Sequence, residues 1–368
     1  MKKITITIVL VVCCLTATAH EGHKPSANET SKSHFAAGYI TELQSNLARK
    51  YNWANFLSLQ ATFNPWKNGS FEIETISTFK TRKTSIADDL QGFSNIEEDN
   101  MALTLFLAGY KHNFSDLFSL FAGVRNVNED YFTQEYTSIF TNSSCGIYPT
   151  LSENYPLMPN QPLSAMCLHA EFQLTDNLLL KNSLYNGTAS RLLDRARIFN
   201  ISPCRNGVFN ITELGYLTEE KSYGYYGLGV AMNWDGRAAR TARTESDREK
   251  FNYTIWANIE KSVAKWGTET ELGFLAQGSV APRADLDCRG YFGGGAVLKN
   301  FTGSRHGDYL AIFANHAIFD GISETAMELT FKYDLNDWLA IQPSFHHILT
   351  GTERYNIALL RLCFAFGN

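Results

Sequence analysis

A period-two alternation of apolar and polar residues recurs through nearly the whole chain, and it narrows the choice of fold more than any other feature. In "SETAMELTFKYDLNDWLAIQPSFHHI", residues 323–348, Thr325, Met327, Leu329, Phe331 and Tyr333 share one parity. Glu324, Ala326, Glu328, Thr330 and Lys332 share the other. Successive side chains of a strand point to opposite faces, so this stretch is a strand with one greasy and one charged face. The pattern repeats in "MCLHAEFQ", in "FNYTIWANIEK", in "ETELGFLAQGSV" and in "NIALLRLCFAF". No comparable 3.6-residue period appears after residue 19.

Alternating segments are expected near 36–47, 53–63, 70–80, 101–112, 117–126, 163–174, 177–186, 208–217, 223–234, 251–262, 268–279, 289–300, 308–318, 323–333, 338–348 and 355–366. Their connections differ in length in a regular way. "WKNGS", "FSDLF", "LTDNL", "AKWGT" and "YDLNDW" are short and carry turn residues. The stretches 81–100, 127–162, 187–207 and 235–250 are long. Short turns on one rim and long loops on the other are the habit of outer-membrane barrels, with the short rim periplasmic. A soluble sheet this wide needs a second layer over its apolar face, and no segments remain to build one. Closing the sheet in lipid satisfies every backbone group and removes the edges. The expected fold is therefore all-β: a transmembrane antiparallel β-barrel of about 16 strands, greasy faces outward. Trp53, Phe63, Phe79, Trp234, Tyr333, Phe364 and Phe366 fall near strand ends, where amphipathic rings favour the lipid–water interface.

The chain opens as an export signal. Lys2 and Lys3 precede an apolar run from Ile4 to Leu15, and Ala17-Thr18-Ala19 has the form of a cleavage site. Residues 1–19 are thus expected as signal peptide, with cleavage between Ala19 and His20. Residues 20–34 then form a short polar leader and 35–368 the barrel. Beyond residue 19 no apolar run reaches the length of a spanning helix. Without the leader's two lysines the balance is 30 basic against 37 acidic residues, a net of −7. With no long basic run, nucleic acid is not an expected partner. The five cysteines after residue 19 show no CxxC spacing, so neither a metal nor a cofactor is expected from them. An oxidising compartment allows a disulfide. Cys145–Cys167 across the long loop and Cys204–Cys288 are the two pairings weighed, against free packed thiols throughout.

With greasy faces outward, the lumen receives Glu42, Glu74, Arg125, Glu171, Lys181, Glu213, Glu269, Glu271, Glu328, Lys332 and Arg361. Phe106, Tyr185, Tyr225 and Trp256 share those inward parities. A ring of one sign selects ions of the other. A mixed lining discriminates ions less and offers many hydrogen-bond partners, which sugar hydroxyls require. Mutual pairing of these charges to keep the wall wet and rigid is the alternative for each one. The loop 127–162 is too long to be idle; it either enters the barrel or caps it.

At these residues the chain resembles the carbohydrate-selective outer-membrane porins of the OprB type. The resemblance lies in "SIADDLQGFSNIEEDN", in "LFAGVRNVNEDYF" and in "IFTNSSCGIYPTLSENYP" followed by "LSAMCLHAEFQLTDNLLLKNSLYNG". It continues in "GVFNITELGY" and in the C-terminal hairpin with its Gln342-Pro343. It implies an outer-membrane barrel through which small neutral sugars diffuse passively. By motif it implies Arg125, Glu213, Glu328 and Arg361 as constriction residues. The chain departs from the family at Thr104 and Phe106, at His346-His347, and at its Phe366-Gly367-Asn368 end.

Three functional readings follow. A sugar-selective porin in outer-membrane lipid comes first, and a homo-oligomer is compatible with it. A general porin, or a barrel plugged by its loops, differs only in flux and discrimination. A barrel enzyme needs a Ser/His or Asp/His site; His316, His346 and His347 are the candidates, with no GxSxG beside them.

Overall fold

The computed structural model describes residues 33–191, 194–218, 222–234, 251–267, 269–282, 286–303 and 307–367. Residues 1–32, with Ala19, His20 and most of the expected leader, and the loop 235–250 lie outside them; Ser33 and His34, expected in the leader, belong to the first strand. Sixteen strands form among the described residues: β1 (Ser33–Ser45), β2 (Tyr51–Trp66), β3 (Gly69–Lys80), β4 (Met101–Ser115), β5 (Phe118–Arg125), β6 (Ala165–Thr175), β7 (Leu178–Asn186) and β8 (Val208–Thr218), then β9 (Gly224–Trp234), β10 (Phe251–Trp266), β11 (Thr270–Val280), β12 (Cys288–Lys299), β13 (Asp308–Phe319), β14 (Ser323–Asn336), β15 (Leu339–Thr350) and β16 (Glu353–Gly367). Each pairs antiparallel with its sequence neighbours, and β1 closes on β16 with Glu42 opposite Arg361. The ring is a closed barrel with no free edge. No described helix is long and apolar enough to cross a membrane.

Each expected strand is present. The largest departures are at the short-turn rim, where β2, β4, β10 and β14 run several residues past their expected ends. Each carries a register shift there: Phe63/Trp66, Asn113/Ser115, Ser262/Ala264 and Asp334/Asn336. A bulge inserts one residue and switches the parity, so the alternation stops while the strand continues.

Burial bears out the outward placing of the greasy faces. Leu329 is 49 % exposed and its neighbour Glu328 only 2 %. Apolar side chains cover the outside and polar ones the inside, the reverse of a soluble sheet. Aromatic side chains gather at both rims. Trp53 meets Phe79 edge-on near the long loops. Trp66, Phe71 and Tyr110, and Trp338 with Phe364 and Phe366, cluster near the short turns.

The loop between β5 and β6 turns inward and crosses the lumen. Tyr131 bonds Ser183 of β7, Thr150 bonds Ser279 of β11, and Ile139 accepts from Gln342 of β15. β7 and β15 lie half-way round the ring from each other. Inside the barrel this loop builds an apolar core. Phe132 packs on Trp256 at 5.2 Å, Tyr148 stacks on Tyr291 at 5.1 Å, and Tyr155 meets Phe209 at 5.8 Å. Such pairs add about 0.5–1.5 kcal/mol each beyond burial. Part of the expected wet interior is therefore protein. The loop between β3 and β4 also folds inward, and its Ile86 and Phe93 pack with Ile348, Ile357 and Leu359.

Neither weighed disulfide forms. Cys145 sits in the short helical turn Ser143–Gly146, packed with Tyr136, Leu275 and Phe313. Cys167 lies on β6 in a different cluster with Tyr185. Both are free, as are the exposed Cys204 and the buried Cys288. The inward fold of the loop carries Cys145 away from β6, which its place in the sequence did not reveal.

Candidate functional site

Two kinds of inward charge emerge: buried groups that hold the loops, and a cluster on β3 to β8 of which part stays open. The first kind holds the loops. Glu328 accepts from the Thr141 and Asn142 amides at 2.9 and 3.0 Å and from the Thr141 hydroxyl at 3.0 Å. Glu260 takes the Tyr136 and Thr137 amides at 2.8 and 2.6 Å. Glu324 takes those of Leu90 and Gln91 at 2.8 and 2.9 Å. Arg361 donates to Glu42 at 2.6 Å and to Asn95 at 2.6 Å, and Ser94 donates to Glu42 at 2.7 Å. Loop amides in an enclosed lumen need acceptors, and a charged acceptor makes the stronger bond. Glu328 and Arg361, expected to touch the solute, are thus buried beneath the loops. Glu260 and Glu324 do the same work. Their polar parity was legible; which loop amide each meets was not.

In the second kind Glu72, Lys111, Glu171 and Lys181 stay partly open around the buried Arg125, Asp130 and Glu213. On β3 to β8, Arg125 forks onto Asp130 with Nε to Oδ2 at 2.7 Å and Nη2 to Oδ1 at 2.6 Å. Its Nη1 lies 3.5 Å from Glu72, and its guanidinium lies 4.6 Å from the centre of the Phe121 ring. That ring fits because it lies over Gly109; a Cβ there would come 2.2 Å from Phe121 Cζ. Lys111 donates to Glu171 Oε2 at 2.9 Å, and Ser119 reaches the same oxygen at 2.9 Å. Lys181 donates to the Asp130 carbonyl at 2.6 Å, sits 3.7 Å from Glu213, and lies over the Tyr131 ring at 5.7 Å. Glu213 accepts from Tyr225 at 2.7 Å and from the buried Trp256 at 3.3 Å. Burial raises the Asp130 carboxyl, but the Arg125 guanidinium outweighs it and holds the group below its ordinary value.

Across the ring, Lys332 pairs with Asp334 at 3.2 Å and lies 5.6 Å from the Tyr309 ring. Lys299 pairs with Glu135, and Glu271 accepts from Tyr136 at 2.5 Å and pairs with Lys265 at 3.0 Å. Glu269 is a correction. It is exposed in the turn between β10 and β11, one residue before the strand begins, so its matching parity with Glu271 does not place it on the wall. His346 is buried against Thr141, while His316 and His347 bond Thr325 and Asn356.

The result is a wall of both signs with aromatic faces beside it and a loop narrowing the passage. A sequence model of the carbohydrate-selective porin, OprB family, matches residues 48–356. Among solved structures the chain is similar to Pseudomonas putida OprB at high pH, with 15% identity, 91% of this chain and 94% of that one covered, and a TM-score of 0.74. The low-pH structure of the same protein is similar at 15% identity, covering 91% and 93%, with a TM-score of 0.59. An anion-selective porin from Comamonas acidovorans is similar at 10% identity, covering 91% and 98%, with a TM-score of 0.53. No match was found among proteins of curated function.

Proposed function

The chain belongs to the carbohydrate-selective porin, OprB family, and from that premise we propose that small neutral sugars pass along the half-open wall of β3 to β8, between it and the inward loop. The protein is an outer-membrane porin of a Gram-negative-type cell. The observation that carries the finer reading is the wall's mixed charge. The partly exposed Lys111 and Lys181 stand among the partly exposed Glu72 and Glu171. Sugar hydroxyls donate to the carboxylates and accept from the ammonium groups. A neutral solute replaces water there without carrying a charge past either sign.

The partly exposed Tyr225 ring beside Glu213 offers a flat face to sugar C–H groups. On this reading the channel binds and releases its solute without chemistry. The leader 1–19 is removed after Ala19, a point that N-terminal sequencing of the membrane form checks.

The test is swelling of liposomes holding the refolded protein in glucose, a disaccharide and a neutral amino acid of glucose size. Sugar entry faster than amino-acid entry supports the reading. Rates ordered by size alone favour a general porin.

A further inference from the structure

His169 of β6 is buried, and its two ring nitrogens have different surroundings. Nδ1 lies 2.7 Å from the Ser183 hydroxyl, which is itself held by Tyr131 at 2.9 Å. Nε2 is buried and makes no hydrogen bond. It points between two carboxylate oxygens, 3.5 Å from Asp130 Oδ1 and 3.4 Å from Glu171 Oε1. Both distances exceed the ordinary N–H···O range. They match another geometry. Four ligands at about 2.0–2.1 Å around a tetrahedral zinc ion stand about 3.4 Å from one another. All three ligand atoms lie within 4.8 Å of one another.

We propose that Asp130, His169 and Glu171 form a binding site for a divalent transition-metal ion, with zinc the best fit, which pins the inward loop to the barrel wall and narrows the pore. One imidazole with two carboxylates suits zinc better than calcium or magnesium, which take oxygen ligands. The surroundings suit a metal as well. The bond at Nδ1 fixes the ring, and with Nδ1 as the donor to the Ser183 hydroxyl Nε2 keeps its lone pair for an ion. Arg125 uses one lone pair of Oδ1, and Lys111 occupies Oε2 of Glu171, so Oε1 stays available. These two cations lower the affinity and make the ion exchangeable. Glu171 and Lys111 are partly exposed, which gives the ion a way in. Asp130 belongs to the loop and His169 and Glu171 to the wall, so occupancy joins the two. The wall's sugar contacts are not needed for this; only the porin's ion conductance is.

The test uses the full refolded protein. Cobalt titration follows the visible absorption of a tetrahedral site, and zinc titration follows single-channel conductance. The expected result is one saturable cobalt spectrum displaced by zinc, with conductance at least halved at saturation. His169→Ala and Glu171→Gln each raise the half-saturating concentration at least tenfold. Cobalt binding needs no open pore, so the spectrum reads the site even if a variant loosens the loop. An absent spectrum in the wild type overturns the proposal, and so does binding unchanged in both variants. The first result makes His169 Nε2 a proton donor shared by two carboxylates.

Discussion

Single residues show why inward charges must be sorted by what they hold. Glu328 satisfies two amides and a hydroxyl of the loop. Truncation leaves the two amides without an acceptor, at about 1–3 kcal/mol for each buried group, while the Thr141 hydroxyl keeps the Phe93 carbonyl. Glu328→Ala should therefore free the loop, and liposome swelling should show disaccharide entry rising relative to glucose; an unchanged ratio would mean that the loop is held elsewhere. Asp89 in the loop between β3 and β4 carries a pH effect. Burial and the nearby Glu324 carboxylate push it from 3.8 up to about 7, against the Phe93 amide that it accepts. A carboxyl raised in the folded state stabilises most when protonated. Its contribution is full below about 3.8 and is lost as pH rises through about 7. Hydrogen exchange at the Leu90 and Gln91 amides, corrected for intrinsic rate, should speed up between pH 6 and 8, and Asp89→Asn should remove that change. Residue roles were only half legible. Parity placed Glu213 and Lys181 on the inner wall, but a parity says nothing about turns, so Glu269 was misplaced, and nothing about loops, so Glu328 and Arg361 looked open.

Among the elements, strands were legible because lipid outside and polar groups inside impose one alternation on all sixteen. A register slip exposes charge to hydrocarbon, so the pattern is under strong physical constraint. Leu329→Arg, at the middle of β14's outward face, should cost about 2–4 kcal/mol. Urea unfolding in vesicles measures it, and a cost under about 1 kcal/mol would place Leu329 near an interface instead. The inward loop was not legible in the same way. Its length announced a role, but it has no period, and its partners lie on strands far along the chain. Phe132 on Trp256 and Thr141 against Glu328 are tertiary facts. The cysteines share that limit: only the loop's path shows that Cys145 ends beside Phe313 and not beside Cys167.

For the whole molecule, the account joins a closed barrel, a loop that packs part of its lumen, and a wall of both signs left partly open. The barrel provides rigidity, the loop narrows the bore, and the wall offers hydrogen bonds to an uncharged solute. The claim most exposed to test is that sugar travels along that wall. Ion current through single channels should fall saturably as glucose is added, because a bound sugar displaces conducting water and ions. Lys181→Met should raise the half-saturating glucose concentration several-fold while leaving a conducting pore. If glucose lowers the current only as far as its effect on bulk conductivity, equally in wild type and variant, sugar does not dwell on this wall and the account is wrong.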